Sequence, residues 1–94
     1  MSKATTVEVE LDSPIKRDGG DVTTLTLRKP MAGELRGLSL ADLLNMEVDA
    51  ITRVLPRIST PVLSEQEARN MDPADLVACG AEISSFLLPK RLKG

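Results

Sequence analysis

The cysteine at position 79 is the side chain best suited to nucleophilic chemistry, but the sequence offers nothing to activate it. Cys79 is the single cysteine among 94 residues, and the chain has no histidine, the commonest general base near neutral pH and a frequent metal ligand. A thiol without such help stays largely protonated and unreactive at neutral pH. The preceding run Leu76-Val77-Ala78 indicates the buried face of a helix. We therefore predict a structural thiol, no catalytic residues and no enzymatic activity.

Two glycine-containing segments resemble parts of phosphate or cation sites, but neither has the required spacing. The segment Gly33-Glu-Leu-Arg-Gly37 lacks the GxxxxGK[ST] spacing of a P-loop and the GxGxxG spacing of a dinucleotide loop. Asp18 and Asp21 flank a pair of glycines, yet calcium prefers about six to eight oxygen ligands. Both segments therefore predict turns, and we expect no cofactor and no metal ion.

Charged and apolar residues are too dispersed for a nucleic-acid or membrane site. The chain has 12 Lys and Arg residues against 14 Asp and Glu residues, and Phe86 is its one aromatic residue. Nucleic-acid binding usually needs a concentrated basic face and aromatic rings for stacking. The cluster Lys90-Arg91 with Lys93 is typical of a solvated tail. Because we also find no signal peptide and no apolar run near the roughly 20 residues that span a bilayer, we expect a soluble, cytoplasmic protein.

Two alternating segments predict an N-terminal β-hairpin that would position everything after it. Residues 7–11 alternate valine or leucine with acids, and residues 23–28 alternate leucine with threonine and arginine. Between them, residues 12–21 contain Pro14 and the Gly19–Gly20 pair, which predict a long or bulged connection. Two strands alone are only marginally stable in water, so helices must cover one face.

The residues after Pro30 change to helical spacing. Ser39 followed by Asp42 resembles an N-cap, and the repeat behind it predicts one amphipathic helix of about 16 to 19 residues. Pro56 should end or kink this helix near its last turn. The apolar positions of the predicted helix are Leu40, Leu43, Leu44, Val48, Ile51, Val54, Leu55 and Ile58.

Two further helix starts are marked by capping residues. Ser64-Glu-Gln-Glu67 is a capping-box pattern that predicts a short helix to about Asn70. Asp72–Pro73 places an N-cap before a proline at the first helical position, and Asp75 at N3 would lie near the positive end of the helix dipole. Pro89 should stop this last helix.

The last helix has a wide apolar stripe that can be read in two ways. Core packing explains most of it, and a partly exposed groove that takes an amphipathic partner helix is the alternative. Gly80 inside the stripe predicts close approach of another backbone. The stripe comprises Leu76, Cys79, Gly80, Ile83, Phe86 and Leu87, widened by Val77 and Leu88.

The elements together predict one small α+β domain over residues 1–94. An N-terminal β-hairpin at 7–28 precedes a helical part of three to four helices at 31–88, and 89–94 form a basic tail. A chain of this length has enough apolar residues for a single core, which must be aliphatic.

The order of short motifs between residues 11 and 38 resembles the phage tail assembly chaperone family, in the Mu-like group related to protein E of P2-like phages. These motifs are a Pro14-Ile15 segment, the Gly19–Gly20 turn, the strand end Leu25-Thr-Leu-Arg28-Lys-Pro30 and the acidic-Leu pair Glu34-Leu35. The terminal Phe86-Leu87 pair also fits, so the resemblance covers roughly residues 7 to 88. Met31 departs from the small hydroxylated residue that is typical there.

The resemblance implies a non-enzymatic role in assembly of a phage or prophage tail. Such chaperones bind the tape-measure protein, keep it soluble and help to recruit the tail-tube protein in the host bacterial cytoplasm, and they are absent from the mature virion. A C-terminally extended form made by ribosomal frameshifting is common in the family. The oligomeric state stays open.

Partner-binding candidates come from the strand end, the junction after it and the last helix. Arg28 would orient the junction or contact a partner, or else make only local hydrogen bonds at an exposed strand end. A small cytoplasmic adaptor or antitoxin-like interaction module is the chief alternative function, and a regulatory subunit of an enzyme is a third. The seven candidates are Arg28, Leu35, Arg36, Ile83, Phe86, Leu87 and Leu88.

Overall fold

The computed structural model describes residues 6–88, which form a small antiparallel sheet covered by helices. The predicted α+β fold is confirmed, with a two-residue third strand that no sequence pattern indicated. The predicted basic tail, with Pro89, lies outside the described residues. In chain order the elements are β1 (Thr6–Ile15), β2 (Val22–Arg28), a 3-10 turn (Ala32–Leu35), α1 (Leu40–Leu44), α2 (Val48–Ile58), β3 (Ser59–Thr60), α3 (Glu65–Arg69) and α4 (Pro73–Leu87).

The hairpin is bulged, as its connection predicts. β1 and β2 pair antiparallel with Val9 opposite Leu25, and the register shifts between Glu10 and Ile15. Pro14 lies in the shifted part, where its missing N–H is tolerated. β1 continues to Ile15, so the connection is shorter than the sequence indicates and spans residues 16–21.

The core is aliphatic and joins one face of the sheet to the helices. Because the chain has one aromatic residue, leucine, valine and isoleucine supply nearly all of the burial. Cys79 is fully buried, as predicted, and burial raises the pKa of its thiol to about 11. The buried apolar residues are Val9, Leu11, Val22, Leu25, Leu27, Leu43, Ala50, Ile51, Val54, Leu55, Ile58, Leu63, Ala68, Met71, Cys79, Ile83 and Phe86.

The prediction of one long helix after Ser39 is wrong, because the chain breaks between α1 and α2. Ser39 does cap α1, its hydroxyl accepting the Asp42 N–H at 3.2 Å. Met46 then takes a left-handed backbone conformation with φ of 59°, and the Glu47 N–H bonds back to the Asp42 carbonyl. The break lets α1 and α2 each pack against α4. α2 continues two residues past Pro56 before it ends.

Gly80 of α4 lies where the break meets the core. A Cβ at this position would be 2.6 Å from Ile51 Cδ1 and 3.1 Å from Met46 Cε. The close approach predicted for Gly80 therefore exists, but side chains rather than a backbone make it. The Met46 side chain occupies space that a larger residue at position 80 would fill, so the break at Met46 and the glycine at position 80 depend on each other.

The caps of α3 and α4 are confirmed. The Ser64 hydroxyl accepts the Glu67 N–H, and the Glu67 carboxylate accepts the Ser64 N–H, both at 3.0 Å. The Asp72 carboxylate accepts the Ala74 N–H at 2.9 Å. These caps are local in sequence, which is why the pattern alone locates them.

Glu67 also ties the hairpin connection to α3. Its carboxylate accepts two hydrogen bonds from the Arg17 guanidinium, at 2.8 and 2.7 Å, and Arg17 donates a third to the Val62 carbonyl at 2.7 Å. The Arg17 pair, together with the Ser64 N–H, lowers the pKa of Glu67 to about 2. The carboxylate therefore stays ionised far into the acid range.

Replacing Glu67 with glutamine should reduce the free energy of unfolding by about 1–2 kcal/mol at pH 7, because a charge-assisted pair is lost while glutamine keeps the capping box. The folded-state pKa of Glu67 lies below its ordinary value of 4.5, so its stabilisation is present above pH 4.5 and lost as the pH falls towards 2. Urea unfolding should show the two proteins converging over that range. Glu65→Gln, at an exposed position in the same helix, is the matched control and should change little. A gap that persists at pH 2 would contradict the ion-pair explanation.

Candidate functional site

An open, mostly apolar surface depression lies where the segment after the hairpin meets α1 and the end of α4. Its volume is about 330 Å³. Leu44 is 43% exposed and Leu88 is 38% exposed, so large aliphatic side chains face solvent here. We call this surface the apolar groove. It is lined by Lys29, Pro30, Ala32, Leu35, Leu40, Leu44, Phe86, Leu87 and Leu88.

Another depression, of about 480 Å³, opens at the hairpin connection. Glycine and polar residues supply most of its lining, among them Arg17, Asp21 and Thr24. Arg17 is already engaged with Glu67, and Asp21 forms an ion pair with Lys16 at 3.1 Å. This depression is therefore more polar than the apolar groove, which is the better candidate for binding an apolar helix.

One wall of the groove is held by an ion pair at the end of the hairpin. Arg28 Nη1 donates to Glu34 Oε1 at 2.7 Å, Arg28 Nη2 contacts the second oxygen, and Nη2 also donates to the Arg57 carbonyl at 2.8 Å. Glu34 Oε1 accepts the Met31 N–H at 2.9 Å as well. Arg28 and this N–H lower the pKa of Glu34 to about 2. At neutral pH the pair is therefore fully charged and fixes the turn after Pro30.

Arg57, in the last turn of α2, supports the same wall from the other side. Its Nη1 donates to the Glu34 carbonyl at 2.6 Å and to the Arg36 carbonyl at 3.1 Å. Residues 29–38 contain only one turn of 3-10 helix, so these side-chain bonds supply order that regular structure would otherwise give. Because the wall is already ordered, less conformational entropy is lost when a ligand binds to it.

α1 and the end of α4 form the other side of the groove. Leu40 and Leu44 are four residues apart, so they share one face of α1, while Leu43 turns into the core and is fully buried. Ser84 Oγ on α4 donates to the Leu43 carbonyl at 3.2 Å and so holds the two helices together. Phe86 is mostly buried, with 7% of its surface exposed.

The structure brings four of the seven candidates together and separates the others. Leu35, Phe86, Leu87 and Leu88 all line the groove. Arg28 holds the groove wall by local hydrogen bonds, and Arg36 is exposed beside Leu35. Ile83 is fully buried, so a partner could reach it only if α4 moved. Partner binding by these residues stays a prediction.

Sequence reasoning missed Leu40 and Leu44 as groove residues. Both belong to the apolar repeat of the predicted long helix, and that repeat assigns them to the core. Asn45 was the available signal, because asparagine is favoured where a helix ends, and it is the C-cap of α1. Lys29 and Pro30 carry no pattern that would place them at an apolar surface.

The described part of the chain offers little for other chemistry. Within residues 6–88, no three His, Cys, Asp or Glu side chains are grouped as metal ligands. The raised pKa of Cys79 keeps its thiol protonated at neutral pH. No helix between residues 6 and 88 is both long and apolar enough to cross a bilayer.

The matches to known proteins all point to the same family. The sequence profile described as phage tail assembly chaperone proteins, E, or 41 or 14, matches residues 8–88. Tail assembly protein E of Escherichia phage P2 is 45% identical over 85 residues, which are 90% of this chain and 93% of that protein. Tail assembly protein E' of the same phage is 46% identical over 80 residues, or 85% of this chain and 56% of E'. No solved structure matches the chain. The family resemblance is thereby confirmed, and this chain belongs to the phage tail assembly chaperone family.

Proposed function

We propose that this chaperone keeps the tape-measure protein of its phage soluble by holding an apolar, helical segment of that protein in the apolar groove. The exposed leucines of the groove are the observation that carries the proposal. The function is one of binding, with no catalytic step. We place it in the host bacterial cytoplasm during assembly and not in the mature virion.

The groove suits an amphipathic helix as its occupant. Such a helix presents apolar side chains at three- and four-residue spacing, and these can lie along an aliphatic groove. Leu40, Leu44 and Leu88 are about half exposed, so covering what remains of each contributes roughly 1 kcal/mol, and the client's own apolar face leaves water at the same time. Aliphatic contacts are non-directional, which allows successive segments of a long client to bind in turn.

The tail-tube protein and a longer form of this chaperone are further proposed partners. The relative E' matches this chain over only 56% of its own length, so the same sequence region occurs in a longer protein. A C-terminal extension produced by frameshifting would give this phage a comparable second form. A slippery heptamer near the codons for Phe86-Leu87, with the longer product found by mass spectrometry, would support it, and the absence of both would count against it. Membership of the family favours tail assembly over the adaptor or antitoxin-like alternative.

Co-expression with the tape-measure protein from the same genome tests the proposed function. We expect the client to be insoluble alone and to elute as a soluble complex with the chaperone in size-exclusion chromatography with light scattering. The light scattering would also give the stoichiometry and show whether the chaperone self-associates. A chaperone peak that is unchanged beside an aggregated client would overturn the proposal.

A further inference from the structure

We propose that the apolar groove selects client helices whose apolar face is bordered by aspartate and glutamate. This inference rests on the proposed function and adds the chemistry of the segment that is bound. Its basis is a local excess of positive charge on a chain whose net charge is −2. Residues 28–38 contain Arg28, Lys29 and Arg36 but only one acid, Glu34, and Arg57 is bonded to the same wall.

Two of these basic residues are available to a ligand. Lys29 lines the groove, and the exposed Arg36 follows the lining residue Leu35. Among the described residues, neither side chain forms an ion pair within 4.0 Å, whereas Arg28 is neutralised by Glu34. The hydrogen bonds of Arg57 go to backbone carbonyls and not to a carboxylate, so they leave its positive charge unneutralised.

Acidic residues around the groove do not offset this charge. Asp42 is two residues from both Leu40 and Leu44, so it lies on the opposite face of α1. Glu82 on α4 is half-buried and does not line the groove, and neither does Asp42. The border formed by residues 28–38 therefore attracts anionic side chains and repels basic ones.

Charge at this border should affect selection more than total affinity. Apolar burial accepts any aliphatic helix, whereas border charges favour one sign of neighbour and penalise the other. Ion pairs at an exposed rim are weak and are screened by salt. An acidic border on the client should therefore strengthen binding several-fold at low salt and much less at high salt.

The test uses overlapping helical peptides that cover the tape-measure protein, titrated onto the full chaperone chain. We expect the bound peptides to have acidic residues beside their aliphatic face. The double variant Lys29→Glu with Arg36→Glu should bind them about tenfold more weakly at about 50 mM NaCl, and its affinity should no longer fall as the salt rises to about 500 mM, because screening now relieves repulsion. The matched control, Lys16→Glu with Arg69→Glu, makes the same change in net charge outside the groove lining and should stay within about twofold of wild type.

Several results would overturn the inference. One such result is that the bound peptides have basic borders. Another is that the affinity changes neither with salt nor in the double variant. Either result would leave the proposed function intact. The same holds if no peptide binds but the whole client still forms a soluble complex. A groove-mediated dimer of the chaperone, seen by light scattering and abolished by the double reversal, would replace the client helix by a second copy. If no peptide binds and the co-expressed client also stays insoluble, the inference and the proposed function are both overturned.

Discussion

Replacing Leu44 with aspartate should weaken the proposed binding of the tape-measure protein by about a hundredfold while leaving the chaperone folded. Leu44 is 43% exposed and lines the apolar groove, whereas its neighbour Leu43 is fully buried, so a substitution at Leu44 should disturb the core much less than one at Leu43. Covering the exposed part of Leu44 contributes roughly 1 kcal/mol, and a carboxylate at the same place adds a desolvation cost when the client binds. A difference of about 2.7 kcal/mol corresponds to a hundredfold change in Kd. Titration of client peptides and a thermal melt of each variant would measure both effects.

Two control variants, one on α4 and one beside Leu44, separate binding from folding. Val77→Asp introduces the same charge at an apolar position that is 60% exposed and does not line the groove, so both binding and melting temperature should stay near wild type. Leu43→Asp places a carboxylate at a fully buried position and should unfold the chain. Leu44→Asp should therefore lose binding while it stays folded, whereas Leu43→Asp should lose its cooperative melting transition.

Phe86 is a poorer probe of the groove than Leu44, although the sequence suggests it first. Phe86 belongs to the core, and truncating a buried phenylalanine costs about 3–5 kcal/mol. That is a large part of the roughly 5–15 kcal/mol by which small domains are stable. Lost binding in a Phe86 variant would thus be confounded by unfolding. If Leu44→Asp and Leu88→Asp both bind the client like wild type, the groove is not the docking surface.

The features that sequence reasoning located correctly depend on residues close together in the chain. The caps at Ser39, Ser64 and Asp72 form between groups no more than three residues apart, so their chemistry is complete in the local sequence. The alternation in the hairpin is equally local and is set by which face is buried. Pro30 likewise separates strand from helical spacing because it cannot donate to a ladder.

The groove depends on a tertiary contact that the local pattern cannot show. The apolar repeat runs through Leu44 and Val48 without interruption, so spacing alone favours one continuous helix. The chain instead breaks at Met46, whose side chain packs at Gly80, more than thirty residues away in the sequence. That contact turns α1 so that two leucines line a surface. Likewise, nothing in the sequence pairs Arg17 with Glu67, because the two residues are 50 positions apart.

Asp75 should prove the most sensitive polar position for stability. It is 3% exposed, and its two carboxylate oxygens accept the N–H groups of Asp12 and Ser13 at 2.7 and 3.0 Å. The bulge in β1 presents these two consecutive donors to one carboxylate. Asp75→Ala should reduce the free energy of unfolding by about 3 kcal/mol, because two donors lose a charged acceptor in a partly buried place. For a domain of this size the melting temperature should fall by about 12 to 24 °C.

The size of this effect decides between two roles for Asp75. As an N3 residue it also lies near the positive end of α4, which is the role that the sequence suggests, and such a charge contributes only about 0.3–1 kcal/mol when exposed. Asp75→Asn separates the two, since an amide offers one acceptor oxygen and turns its NH₂ group towards the second N–H donor. A loss above about 2 kcal/mol, measured by urea unfolding, would mark the link between α4 and β1 as the dominant role. Asp42→Asn is the matched control, because Asp42 is the exposed N3 residue of α1, so mainly the interaction with the helix dipole is lost and the loss should stay below about 1 kcal/mol. If Asp75→Asn is no worse than that control, the helix dipole accounts for the residue and the link to β1 contributes little to stability.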